Sequence, residues 1–131
     1  MRALYVDSSA LVAILFEESG AKRVRKALQA ADELVSSHLI EAELYSSAAR
    51  ERVSLDDAHS LIKHLSLFFP DRPLFEEYRQ VSANRYVRGP DAHHLACALY
   101  LDPERRELGF VTLDKEQQKI ALRLGFSSSA F

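Results

Sequence analysis

Apolar residues recur along the chain with two different periods. Short apolar blocks at Arg2–Val6, Leu34–Ser36 and Leu108–Thr112 predict strands. Between and after them, the three-to-four-residue spacing of an amphipathic helix runs over Ser8–Phe16, Ala21–Ala31 and His38–Arg52. It continues from Ser54 to about Phe68, near Phe75–Tyr86, over Asp91–Leu101 and over Lys115–Leu124. Ser8 or Ser9 is placed to cap the first helix, and Ser54-x-x-Asp57 resembles a capping box. Pro70 and Pro73, then Gly89-Pro90, break the chain, and Gly125 stops the last helix. The spacing Leu61, Leu65, Phe68 marks a core stripe or a dimer face. Strands separated by helices imply an α/β fold class, a mainly parallel central sheet flanked by helices on both faces.

Length and composition narrow the class. The 131 residues fit one domain spanning 1–131, and 47% apolar content provides a core without disulfide or structural metal. The single cysteine, Cys97, lies in the run Leu95-Ala96-Cys97-Ala98-Leu99 and reads as a core thiol in a reducing compartment. Asp7 interrupts the N-terminal apolar block, and the longest apolar run, Ala10–Phe16, falls well short of the ~20 residues of a membrane span. The expectation is a cytoplasmic protein with no membrane association. Seventeen Lys+Arg against nineteen Asp+Glu, a net charge of −2, argue against a sequence-independent nucleic-acid coat protein. They leave room for an enzyme that meets nucleic acid through a local patch. The basic cluster Lys22, Arg23, Arg25, Lys26 reads as the solvent side of its helix, and Ser127-Ser128-Ser129 as a loose tail.

The chemistry concentrates in acids at element ends, where ligands collect in parallel sheets. Asp7 follows the first strand, Asp114 follows the last, Asp91 opens a helix after Gly89-Pro90, and Glu41 and Glu43 lie early in the third helix. Any one of these alone reads as a cap or turn residue. Together they present an electrostatic problem if they converge. Two carboxylates about 5 Å apart repel by roughly 3 kcal/mol at an effective dielectric near 20. Protonation or a bound cation must relieve it, and hard oxygen donors favour Mg²⁺ or Mn²⁺ over Zn²⁺.

Four segments carry a family pattern. Tyr5-Val6-Asp7-Ser8-Ser9-Ala10-Leu11, Glu43-Leu44 with Arg50, Asp91-Ala92-x-x-Leu95-Ala96-x-Ala98-Leu99, and Val111-Thr112-x-Asp114 resemble the PIN-domain family in order and spacing. Asp7, Glu43, Asp91 and Asp114 stand 36, 48 and 23 residues apart. The small size is similar to the VapC-type toxins of toxin–antitoxin pairs. The resemblance covers residues 2 to 126. It implies a Mg²⁺- or Mn²⁺-dependent endoribonuclease, with Asp7, Glu43, Asp91 and Asp114 as catalytic metal-binding residues and Ser9 and Thr112 supporting them. It also implies a cognate antitoxin and a homodimer. Glu116 is the nearest counterpart of a further acid that many relatives carry after the third aspartate. Helical geometry places Glu41 about 200° from Glu43, so only one faces a cleft, and the family spacing selects Glu43.

Hydrolysis of an RNA phosphodiester needs cations near the phosphate. Arg85 and Arg88, which precede Asp91, and Lys115, which follows Asp114, are the RNA-contact candidates, alongside their plainer reading as solvated surface charges. His93 and His94 read as structural or surface residues, although Asp91 and His94 share a helix side at i, i+3. The scattered Tyr and Phe residues outline no stacking platform for RNA. The alternative function is a non-catalytic PIN-like protein-interaction module, which has no need of all four acids.

Overall fold

The computed structural model describes residues 2–127. Among these, four strands and seven helices alternate: β1 (Ala3–Val6), α1 (Ser8–Leu15), α2 (Ala21–Ala30), β2 (Glu33–Ser37), α3 (Leu39–Arg50), α4 (Leu55–Ile62), β3 (Ser66–Phe68), α5 (Phe75–Ser82), α6 (Gly89–Leu101), β4 (Leu108–Val111) and α7 (Lys115–Leu124). All strand pairs are parallel, in the order β3-β2-β1-β4. The expected α/β class with a parallel sheet is what the chain adopts.

Successive residues of β1 serve opposite faces, as the two-residue strand period requires. Leu4 and Val6 pack with Leu11, Ile14, Val24, Ile40, Leu44 and Ile62 from α1 to α4. Tyr5 packs on the other face with Val81, Leu95, Leu99, Phe110 and Ile120, where α5, α6 and α7 close the second core. Cys97 is fully buried there, as its apolar run suggests, and burial pushes its thiol up to about 11, so it is inert.

Several local readings are corrected. The helix expected from Ser54 to Phe68 ends at Ile62, and Ser66–Phe68 is an edge strand paired to β2. The spacing of Leu61, Leu65 and Phe68 imitates a helical stripe, but Leu61 and Leu65 belong to the first core and Phe68 to the second. The α1 cap is Asp7, whose side chain accepts from the Ser9 amide, rather than either serine. Ser127, expected in a loose tail, instead bridges Gly109, and its carbonyl accepts from Phe110 N at 2.9 Å. Ser128 and Ser129 lie outside the described residues. Ser54 caps α4 through Asp56 N rather than Asp57 N, Gly89 and Pro90 form the first turn of α6, and Gly125 ends α7 at φ 105° as read. Lys22, Arg23, Arg25 and Lys26 are exposed around buried Val24.

The strand order positions the site. From β1 the chain proceeds through β2 to β3 on one side, then returns to place β4 on the other side of β1. The carboxyl ends of β1 and β4 therefore flank a switch point, where an open parallel sheet leaves a crevice. Asp7 N donates to Val111 O at 3.0 Å and ties the two ends together.

The junction of β4 with the tail is tightly packed. A Cβ on Gly109 would lie 2.7 Å from Leu4 Cδ2 and 3.1 Å from Ser127 Oγ, whereas one on Gly89 would meet nothing within 4 Å. Gly109→Ala is expected to destabilise by about 1–3 kcal/mol in urea unfolding, the scale of overpacking a core. Gly89→Ala should stay within about 0.5 kcal/mol of wild type.

Candidate functional site

Three of the four acids occupy helix N-termini. Asp7 caps α1, Asp114 caps α7 by accepting from Gln117 N at 3.0 Å, and Asp91 lies in the first turn of α6. The capping reading is thus realised for Asp7 and Asp114. Each helix end favours a negative charge by about 0.3–1 kcal/mol, which offsets only part of the mutual repulsion. Glu43 comes from the side of α3, partly buried, while Glu41 is exposed. The two glutamates thus differ in burial, as their separation on the helix requires, and the less exposed one is Glu43, the residue that the family spacing selects.

Asp7 is 1% exposed, and its two oxygens have opposite circumstances. Oδ2 accepts from Ser9 Oγ at 2.7 Å and Ser9 N at 3.3 Å, and Thr112 Oγ1 lies 3.0 Å away. Oδ1 is buried with no hydrogen-bond partner. An unpaired buried carboxylate oxygen is costly.

Ser9 and Thr112, the expected supporting hydroxyls, hold this arrangement together. Ser9 Oγ accepts from Leu113 N at 2.9 Å, and Thr112 Oγ1 accepts from Asp114 N at 3.0 Å, so each ties Asp7 to the segment after β4. Thr112 Oγ1 also stands 3.0 Å from Gln117 Oε1, with one proton for two acceptors. Gln117 Nε2 donates to Asp91 O at 3.2 Å, binding α7 to the start of α6. Sequence reasoning missed Gln117; its burial at 1% exposure inside an otherwise polar first turn is the feature that gives it away.

The electrostatics bring all four acids into one neighbourhood. Burial raises the Asp91 pKa, and the charges of Asp7, Asp114 and Glu43 raise it further against the opposing pull of Arg88. His94 is fully buried among them and was not expected in the site. Its Nε2 lies 2.5 Å from Glu43 Oε1 and 4.0 Å from Asp7 Oδ1. Burial alone would lower its pKa, but the bond to Glu43 and the charges of Asp7, Glu43 and Asp91 outweigh burial and raise it. The i, i+3 relation to Asp91 was the available signal. His93 is structural as read: one ring nitrogen pairs with Ser37 Oγ at 2.7 Å and the other with Tyr78 Oη at 3.2 Å.

The peripheral cations are differently placed. Arg85 pairs with Glu116 at 2.6 Å, and Lys119 reaches the same carboxylate at 3.5 Å, so Glu116 already has cationic partners outside the cluster. Arg88 is exposed, 3.9 Å from Asp91, and Lys115 is exposed at the start of α7. A ring pair also sits at the end of the sheet: Phe69, 71% exposed, stacks on His38 with centroids 4.0 Å apart. The scattered aromatics thus include one exposed stack that their sequence positions did not disclose.

The donor set tests whether a cation fits. Four carboxylates, one bare buried oxygen and no thiolate form a hard oxygen site, suited to Mg²⁺ or Mn²⁺. Among the described residues no three His, Cys, Asp or Glu side chains close around a common point. Mg²⁺ commonly keeps several waters and takes only one or two carboxylates directly, so an open acidic site suits it.

A four-stranded parallel sheet flanked by helices, with acids at its switch point, defines an α/β fold class. The PIN domain family matches residues 4–122, and the chain belongs to that family. No curated protein matches it in sequence. Its fold is similar to a structure of VapBC-1 from nontypeable Haemophilus influenzae, with a TM-score of 0.70 and 15% identity, covering 95% of this chain and 96% of that one.

The raised Asp91 pKa has a consequence for stability. A group whose folded pKa is raised adds stability below its ordinary value, here 3.8, and that contribution is lost as pH rises through the folded value. In EDTA, Asp91→Asn removes this loss, so its change in Tm from pH 4 to pH 7 should be more positive than that of wild type. A smaller or equal change, measured by calorimetry, would refute the crowding of Asp91 by the other acids.

Proposed function

We propose that this chain, acting as one PIN-like unit, is a Mg²⁺- or Mn²⁺-dependent endoribonuclease that hydrolyses RNA phosphodiester bonds. The reading extends to a VapC-type toxin held by a cognate antitoxin, a cytoplasmic homodimer in its active form. The observation that carries the catalytic part is Asp7 Oδ1, a buried bare oxygen amid three further acids. A non-catalytic interaction module has no use for that costly arrangement. The toxin and antitoxin part rests on family membership and on the likeness to VapBC-1. No helix among the described residues is long and apolar enough to cross a membrane, in keeping with a site that meets RNA in the cytoplasm.

Asp7 would bind the cation through Oδ1, with Asp91, Glu43 and Asp114 completing the site or orienting its waters. A cation held there would neutralise charge on the phosphate oxygens and lower the pKa of water, so that hydroxide is available as the nucleophile. The protein's own share is positioning. Ser9 and Thr112 fix the Asp7 carboxylate through Oδ2, so that Oδ1 keeps one direction. Gln117 links the Asp114 turn to the Asp91 turn. Arg88 and Lys115 flank the cluster and would draw the RNA backbone towards it, while Arg85 would have to leave Glu116 to do so. That exposed pair is worth no more than about 1 kcal/mol, so phosphate can compete for it.

Purified protein is expected to cut total cellular RNA into discrete fragments in Mg²⁺ or Mn²⁺, and EDTA should abolish the cutting. Asp7→Asn should fold, since the amide keeps an acceptor for the α1 cap, and reduce cleavage to background. Full activity in that folded variant would refute the proposed centre. Thermal denaturation offers a separate check. Millimolar Mn²⁺ should raise the wild-type Tm, because a ligand that binds only the folded state stabilises it. It should raise that of Asp7→Asn by much less.

A further inference from the structure

We propose that His94 is a positioning residue, anchored by Tyr5, that fixes Glu43 from inside the sheet core. This rests on the metal-centre reading above and adds to it the parts that orient one of its acids.

Tyr5 is fully buried in β1, and its ring stacks on Phe110 with centroids 5.3 Å apart and planes within 3°. That packing leaves the hydroxyl one position. Tyr5 Oη accepts from Ser37 N at 3.2 Å and lies 2.6 Å from His94 Nδ1. The ionised Glu43 carboxylate can only accept, so Nε2 must carry a hydrogen, and in the neutral ring the remaining nitrogen, Nδ1, accepts the phenol's proton. The hydrogen of the neutral ring is then on Nε2, which donates to Glu43 Oε1 at 2.5 Å. An imidazolium would carry a hydrogen on Nε2 as well, so Glu43 receives a donor in either state. The same hydrogen bars Nε2 from ligating a cation, which makes His94 a support for the site and not one of its ligands.

The ring discriminates between its two acidic neighbours. Nε2 bonds Glu43, but at 4.0 Å it is too far from Asp7 Oδ1 for a hydrogen bond. Glu43 is thereby held in one orientation while the Asp7 oxygen stays bare. A glutamate side chain loses rotamer freedom when immobilised, and a cation meeting a pre-set carboxylate avoids that cost at binding. Partners that orient ligating carboxylates typically contribute about 10–100-fold to metal affinity. The line Ser37–Tyr5–His94–Glu43 joins β2, β1, α6 and α3, so the acid from the side of α3 is registered to the same sheet as Asp7.

Mn²⁺ binding to the full chain, followed by the electron paramagnetic resonance of free Mn²⁺, tests this without any activity readout. His94→Leu is expected to weaken binding about tenfold. His94→Gln, whose amide N–H can take the place of Nε2, should recover most of the loss. Tyr5→Phe keeps the stacked ring and removes only the anchor, and should weaken binding severalfold; it carries the test if His94→Leu does not fold. Glu43→Gln should weaken binding by itself, and adding His94→Leu to it should cause no further loss. Additive losses in the double variant would overturn the proposal, as would unchanged affinity in Tyr5→Phe and His94→Leu beside a weakened Glu43→Gln. If Glu43→Gln binds as wild type does, the metal role of Glu43 fails, and the positioning role falls with it.

Discussion

The carboxylate of Asp7 meets two demands at once, and the rest of the site depends on how they are divided. Oδ2 belongs to the fold: it caps α1 and takes the Ser9 hydroxyl that also binds the segment after β4. Oδ1 has no hydrogen-bond partner among the described residues. Because the fold holds one oxygen so firmly, the other has a defined direction inside a buried site. A freely rotating surface aspartate could not offer that. Fixing a charge this way is unfavourable for the metal-free protein, and the remaining acids add to the strain by repulsion.

Helix starts are the means by which a parallel sheet can gather such charges. α1, α6 and α7 all begin close to the carboxyl edge of the sheet, and their positive ends face the acids. The topology does the gathering: β1 and β4 are neighbours because the chain reverses its direction of sheet growth after β3. Residues 107 positions apart in sequence, Asp7 and Asp114, thus cap the helices that follow two neighbouring strands. The two cores on either side of the sheet anchor these helices, so the site inherits its rigidity from Leu4, Val6, Tyr5 and Phe110 packing beneath it.

Much of this was legible in the sequence, for physical reasons. A strand followed by aspartate and a helical period marks an element end without any knowledge of tertiary contacts. Asp7 and Asp114 announce themselves that way, while Asp91 is marked by the Gly89-Pro90 break before it. Glu43 needed the family spacing, since the face of α3 alone favoured it only slightly over Glu41. Ser66–Phe68 was not legible, because three residues are too few to display a strand period and Leu61, Leu65 and Phe68 coincide with a helical one. His94, Tyr5 and Gln117 were hidden for another reason. Each looks like a core or surface residue until a long-range hydrogen bond gives it a role, and the bonds of Tyr5 to Ser37 and His94 cross 32 and 89 positions. The Phe69–His38 stack likewise depends on the β2–β3 pairing that the pattern concealed.

The central claim is that the bare Asp7 oxygen exists to hold a divalent cation. Anomalous scattering from crystals grown in Mn²⁺ locates the ion directly. The account predicts a peak about 2.1 Å from Asp7 Oδ1, the length of a bond to a small hard cation, with Glu43 still bonded to His94. A peak elsewhere on the protein, or an Asp7 Oδ1 satisfied by a protein donor or by water alone at saturating Mn²⁺, would contradict it.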